Sequence, residues 1–204
     1  IHKKFPTKSE RENSPWASCH GQPILRKDLE ENLFVCPNCN KHHRINPRQR
    51  FDILFGKNNY EILKTPTPKD DPLGWVDTKS YKERLKEARK KTNQDCAILI
   101  AKGNLNGIDV TVGATNFEFI GGAHGAAETE AIIYAAQHAI DNKNPLCLMP
   151  SGGGQKMFEG PIALAGMAKT TLAINELKKN NLPYIVVFCD PCTGGISASY
   201  ANLG

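Results

Sequence analysis

The 204 residues hold no apolar run near the ~20 needed to cross a bilayer. The longest, such as Tyr184 to Cys189, are far shorter, so no membrane span is expected. The chain does not open on a basic stretch leading into an apolar one, and no secretory signal is expected. It begins at Ile1 rather than Met, so its natural N-terminus is expected to lie elsewhere. Without an export signal, the seven cysteines are expected as reduced thiols, metal ligands or core groups rather than a disulfide framework. A cytoplasmic compartment follows.

Several catalytic and nucleotide signatures are also missing. Ser151-Gly-Gly-Gly-Gln-Lys156 lacks the Gly-Lys-Ser/Thr ending of a phosphate-binding loop, and Gly121-Gly-Ala-His-Gly125 is not a dinucleotide fingerprint. No Gly-x-Ser-x-Gly elbow surrounds Ser151, which argues against a serine nucleophile. Glu118, Glu128 and Glu130 form no evident catalytic pair, and His124 is read as a loop residue. No fixed-period repeat or low-complexity segment interrupts the chain.

What is present is a soluble-type composition, 40% hydrophobic and 23% charged, which excludes a disordered or collagenous chain. Charge is uneven. The net +5 lies wholly within residues 1–50, which hold ten Lys/Arg against five Asp/Glu. A basic head suits an anionic partner, whether nucleic acid, CoA phosphates or an acidic protein, and equally a solvated tail carrying Lys3, Lys4, Lys8 and Arg11.

Residues 1–15 show no periodicity and are expected to be loose. A compact segment is expected from Cys19 to about Arg48, containing Cys36-Pro-Asn-Cys39. Helices are expected over Arg48 to Leu54 and Ser80 to Lys91, the latter capped by Ser80. The prolines of Thr65 to Pro72 exclude helix between them. Ala97 to Ala101 and Ile108 to Ala114 read as a hairpin about Gly103 to Gly107. Beyond it come a helix over Gly125 to Lys143, a strand over Pro145 to Met149, a helix from Met157 to Asn181, a buried strand over Tyr184 to Asp190, and a helix from Ile196. Strand, glycine turn and helix thus occur twice, which predicts α/β layering. The domains expected are a basic, ribbon-like segment over 1–45, a helical linking region over 46–96 and a core over 97–204.

Fourteen of the seventeen glycines follow position 100, and they gather at the strand ends. Ser151-Gly-Gly-Gly154 and Thr193-Gly-Gly195 each leave an apolar strand and enter a helix. Amides without a Cβ at such turns can donate to a developing negative oxygen. The absence of an acid/base pair agrees with chemistry driven by stabilising an enolate.

Taken together, these segments resemble the β subunit of bacterial acetyl-CoA carboxylase carboxyltransferase. They are Leu29 to Cys39, Arg44 to Leu54, Tyr81 to Leu85, Phe117-Glu-Phe-Ile-Gly-Gly122, Ser151 to Gly153, Met167 to Leu177, Leu182 to Val186 and Asp190 to Ser199. The resemblance implies a crotonase-like (ClpP/crotonase) α/β core behind a small zinc ribbon. It implies transfer of a carboxyl group from carboxybiotin, on the biotin carboxyl carrier protein, to acetyl-CoA, giving malonyl-CoA for fatty acid synthesis. The partners implied are an α subunit, in an assembly of two α and two β subunits, the carrier protein, and biotin carboxylase in the ATP-dependent complex. By the same resemblance the amides of Gly194 and Gly195 form an oxyanion hole. Gly121, Gly122, Ser151, Gly152, Gly153 and Thr193 contact substrate. The family continues past Gly204, so the chain is expected to be a fragment, inactive alone.

The sequence departs from that family in two places. Where the ribbon carries a first Cys-x-x-Cys, this chain reads Trp16-Ala-Ser-Cys-His20, leaving one cysteine. Zinc ligands are then Cys19, His20, Cys36 and Cys39, with His42 or His43 as an alternative fourth. The loop Ser151-Gly-Gly-Gly-Gln-Lys-Met-Phe-Glu159 is one residue longer than the family's, with Lys156 in place of an arginine. Cys189-Asp-Pro-Cys192 imitates a redox pair, but is read as a buried Cys189 and a loop Cys192. Two alternatives stay open: a related acyl-CoA carboxylase or decarboxylase, and a nucleic-acid-binding zinc-ribbon protein.

Overall fold

The computed structural model describes residues 14–204. The expectation of a loose N-terminus, and the basic residues Lys3, Lys4, Lys8 and Arg11, lie outside the described residues. Contacts divide the chain into a unit ending at Ile45 and a unit running Asn46–Gly204.

In the first unit β1 (Trp16–Cys19) and β2 (Gln22–Leu25) pair antiparallel, Cys19 facing Gln22. The two residues between them, His20 and Gly21, both have positive φ, at 49° and 80°. Two such residues give the tight turn whose twist matches a hairpin. The first strand begins at Trp16, ahead of the Cys19 at which the compact segment is expected to start, because the hairpin needs both strands. A short α1 (Arg26–Glu31) follows. Cys36 then opens a knuckle in which its amide donates to Lys41 O at 2.9 Å and its carbonyl accepts from Asn40 N at 2.8 Å. Ile24, Leu29, Cys19 and Cys36 are its buried core.

The second unit is built on α2 (Pro47–Phe55), β3 (Tyr60–Leu63), α3 (Tyr81–Thr92), β4 (Ile98–Leu105), β5 (Ile108–Thr115), α4 (Ala126–Asp141), β6 (Leu146–Met149), α5 (Gly160–Lys179), β7 (Tyr184–Val186) and α6 (Gly194–Ser197). Residues 46–96 belong to the same compact unit as the rest. Both early helices start on capping boxes, Asn46 with Gln49 and Ser80 with Glu83, and Pro47 occupies the first turn of α2. The Ser80 cap and the helix-free proline segment agree with expectation.

One five-stranded sheet has the order β3-β4-β5-β6-β7. β3, β4 and β5 run antiparallel, whereas β5, β6 and β7 are parallel and joined through α4 and α5. The β4–β5 hairpin turns on Asn106 and Gly107, with φ of 51° and 90°. Its strands are longer than expected because Asn-Gly alone supplies the turn, leaving Gly103 inside β4 against the Phe55 ring. Alternate residues of β4 serve opposite faces. Ile98 and Ile100 join Ile132, Leu146, Leu148, Ile174 and Leu177 beneath α4 and α5, and Ala101 joins Phe51, Phe55 and Val112 on the other face.

Three expectations are corrected at the C-terminal end. The helix expected from Met157 starts at Gly160, after a 3-10 turn over Met157–Glu159. The buried strand over Tyr184 to Asp190 shortens to β7, and Ile185, Val187 and Phe188 are about half exposed rather than buried. The helix expected from Ile196 is the single turn α6, followed by a 3-10 turn over Tyr200–Leu203. Among the described residues, no helix is long and apolar enough to cross a membrane.

Candidate functional site

Three backbone segments leave the same end of the parallel strands and lie edge to edge. They are Gly121–Gly125 before α4, Ser151–Gln155 after β6, and Pro191–Gly195 after β7. Gly153 N donates to Gly121 O at 3.2 Å, and His124 N donates to Gly154 O at 2.9 Å. On the other side, Gly152 N donates to Pro191 O at 2.7 Å and Thr193 N donates to Gly152 O at 3.1 Å. The Ser151 hydroxyl donates to Asp190 O at 3.3 Å, so it braces the two later loops. The structure thus brings Gly121, Gly122, Ser151, Gly152, Gly153, Thr193, Gly194 and Gly195 together on one platform. Residues 117 to 204 supply all of it.

Glycine is required where the loops touch. A Cβ on Gly122, whose φ is +65°, would lie 2.1 Å from Ser151 O. Backbone cannot yield there as the tip of a side chain could. Gly194 has φ +59° and begins α6. The amides of Gly194 and Gly195 belong to the first turn, where an N–H has no intrahelical acceptor. Amides so placed can donate to an anionic oxygen.

Behind this platform lies a buried polar cluster that the sequence did not reveal. Lys156 Nζ donates to both oxygens of Glu128 at 2.8 Å, and neither side chain is more than 1% exposed. Glu128 also accepts from Ala97 N and Gly125 N, each at 2.8 Å. Glu159 accepts from Tyr81 Oη and from Ala126 N, each at 2.6 Å. Burial alone would raise the Glu128 pKa, but Lys156, His124 and the donated hydrogen bonds hold it below the usual carboxylate range. Burial, then Glu159, pushes the Tyr81 hydroxyl well up, so it stays a donor. Glu128 three residues after Gly125 is a capping pattern visible in sequence. Its pairing with Lys156 is not.

His124 lies in the loop expected, but its side chain is buried and stacks on Tyr200 with ring centroids 5.5 Å apart. Burial pushes its pKa down to about 4, against the pull of Glu128, so the ring is neutral at pH 7. Cys189 is buried and Cys192 half-buried in the loop beside Gly152, both as free thiols. The buried Cys189 and the loop position of Cys192 are as expected.

The first unit gathers a second constellation. Ligand atoms of Cys19, Cys36 and Cys39 lie within 4.8 Å of one another, with Cys19 Sγ and Cys39 Sγ 3.5 Å apart. They open onto a cavity of about 230 Å³ that His20 also lines. His20 Nδ1 lies 3.9 Å from Cys19 Sγ. Neither His42 nor His43 lines that cavity, although His43 Nε2 is buried with no partner among the described residues. Three convergent sulfurs are a donor set that fits zinc.

Two family profiles match this chain, one in each unit. The carboxyl transferase domain profile matches residues 70–202, and the acetyl-CoA carboxylase zinc finger domain profile matches residues 17–39. The chain is 62% identical over its whole length to the acetyl-coenzyme A carboxylase carboxyl transferase subunit beta of Pelagibacter ubique, and covers 66% of that protein. It is 45% identical over 97% of its length to the protein of the same name from Caulobacter vibrioides, covering 64% of it. The chain thus spans about two thirds of the length of these relatives. Among solved structures, a Pseudomonas malonate decarboxylase hetero-tetramer with malonate superposes with a TM-score of 0.56 at 25% identity, over 76% of this chain and 54% of that one. Transcarboxylase 12S superposes with a TM-score of 0.60 at 17% identity, over 85% of this chain and 33% of that one, a likeness of fold.

Proposed function

The chain belongs to the carboxyl transferase family, and we propose that it forms part of the β subunit of an acetyl-CoA carboxylase carboxyltransferase. Its fold is the crotonase-like α/β core of that family with an N-terminal zinc ribbon. The reaction proposed moves a carboxyl group from carboxybiotin to acetyl-CoA, giving malonyl-CoA. The observation that supports it most directly is one shared wall: Gly152 donates to Pro191 and accepts from Thr193, so the two glycine turns bound one site.

In this reading the amides of Gly194 and Gly195 hold the thioester oxygen as negative charge develops on it. Gly152 and Gly153, with Gly121, Gly122, Ser151 and Thr193, shape the acyl-CoA pocket. Carboxybiotin, presented by the carrier protein, supplies the carboxyl group. Removing one amide donor of that kind costs roughly 10²–10³ in rate. Cys19, Cys36 and Cys39 would hold zinc, with His20 as the fourth ligand, and the metal would fix the ribbon rather than take part in transfer. The whole enzyme in this reading includes an α subunit, the carrier protein and biotin carboxylase, and works in the cytoplasm. Residues 1–45 serve as the ribbon, 46–96 as the helical region leading to the core, and 97–204 as the core.

The likeness to the malonate decarboxylase favours a second reading, a related enzyme acting on another acyl-CoA or malonyl thioester. The experiment uses the chain extended to its natural ends and co-expressed with an α partner. Malonyl-CoA-dependent carboxyl transfer to biocytin is assayed beside a Gly194→Val, Gly195→Val double variant. Transfer in the parent and its loss in the folded variant support the reading. A folded, assembled parent inactive with malonyl-CoA but active with another acyl-CoA moves the assignment to the second reading.

A further inference from the structure

We propose that Lys156 is a positioning residue for this site: its ammonium, locked between Glu128 and Glu159, sets the place of the glycine loop and, through Gln155, of the Gly195 amide. The proposal rests on the carboxyltransferase reading only for what the positioned amides do.

The lysine is unusual for where it ends. Its Nζ is fully enclosed, with both Glu128 oxygens at 2.8 Å, a Glu159 oxygen at 3.9 Å and the Phe119 ring centroid at 5.5 Å. Each carboxylate is in turn bound to a different part of the unit. Glu128 takes the amides of Ala97, at the start of β4, and Gly125, at the start of α4. Glu159 takes the Tyr81 hydroxyl from α3 and the Ala126 amide. One ammonium therefore ties the loop after β6 to three elements that are distant in sequence.

A buried ion pair is weak evidence for stability, since apolar side chains of similar volume often serve as well. What it fixes is geometry, because an enclosed ammonium has few places where its donors are all met. Here the geometry is transmitted over one residue. Lys156 N donates to His124 O at 2.7 Å, which fixes the strand-like course of the loop. The preceding Gln155 packs so tightly on Gly195 that a Cβ there would lie 2.5 Å from Gln155 Cγ. With its amide turned to satisfy its surroundings, Gln155 donates to His124 O at 2.9 Å and Ala163 O at 3.0 Å. Gly154 lies against the same amide, since a Cβ on it would come 3.4 Å from Gly195 N. A shift at Lys156 is therefore passed by contact to the proposed oxyanion donors. The exposed ion pair Lys169–Glu130, at 3.1 Å between α5 and α4, lacks that connection and serves as the control.

The test uses the naturally ended chain assembled with its α partner, as Lys156→Met, Glu159→Gln and Lys169→Met. Folding and assembly are checked by circular dichroism and size exclusion. In folded complexes, Lys156→Met is expected to lower kcat by up to roughly 10²-fold, the scale of a small misplacement, with KM for malonyl-CoA changed far less. Hydrogen exchange at Gly152–Gly154 and Gly194–Gly195 is expected to quicken, and Lys169→Met to change neither. Should Lys156→Met fail to fold, Glu159→Gln, which keeps the ammonium and its main partner, is expected to give the same pattern more weakly. Unchanged exchange at Gly194–Gly195 in a folded variant, or activity falling only with the folded fraction, overturns the proposal. Quickened exchange in Lys156→Met, where the parent complex itself shows no carboxyl transfer, would leave the positioning intact and overturn the functional reading instead.

Discussion

Gly122 and Gly152 stand back to back, so close that a Cβ on Gly152 would lie 2.3 Å from the Gly122 carbonyl oxygen. Both sides of that contact are backbone, and both belong to segments hydrogen-bonded to their neighbours. Gly152→Ala is therefore expected to force the loops apart, at about 1–3 kcal/mol of stability, the usual cost of overpacking. Carboxyl transfer should fall further than thermal stability does. Denaturant melts and steady-state kinetics on the same sample check it, and an unperturbed Gly152→Ala complex would refute the close-packed platform.

The helix cap at Ser80 gives a prediction free of the site. Ser80 Oγ accepts from Glu83 N at 3.3 Å and the Glu83 carboxylate accepts from Ser80 N at 3.3 Å. Ser80→Ala is expected to cost about 1 kcal/mol. For a unit of this size that is roughly 2–4 °C in melting temperature, with kcat unchanged.

Acid stability tests the burial of His124. Its folded pKa is about 4, below its unfolded value, because burial penalises the charged ring. Above the unfolded value both states are neutral and the group contributes nothing. As pH falls through about 6.5 the unfolded chain takes up the proton first, so stability is lost progressively down to the folded pKa. The loss between pH 7 and pH 5 should be about 2 kcal/mol. Urea midpoints at the two pH values should converge in His124→Gln relative to the parent, and an identical loss in both would refute the assignment.

Zinc is expected at the three thiols. Purified protein should carry one metal per chain, lost in Cys36→Ser. His20→Ala should weaken affinity and alter the cobalt charge-transfer and ligand-field bands, because the fourth ligand changes. His42→Ala and His43→Ala should leave both unaltered. A cobalt spectrum unmoved by His20→Ala but changed by His43→Ala would transfer the fourth ligand to His43.

The sequence alone determined the local pieces of this protein. Ser80 caps a helix, the stretch Gly103 to Gly107 marks a hairpin, and glycines after two apolar runs mark sharp turns. These signals are short-range: they depend on φ preferences and on donors a few residues away. The order of the motifs likewise revealed the family and the residues of the glycine platform. Tertiary structure decided what meets what. Nothing near Lys156 in the chain announces Glu128, 28 residues earlier, as its partner. Nothing local announces that Phe188, in an apolar run, is left half exposed. Burial and ion pairing arise from the sum of contacts over the whole sheet and its helices. They could be read only once the strands had been laid side by side.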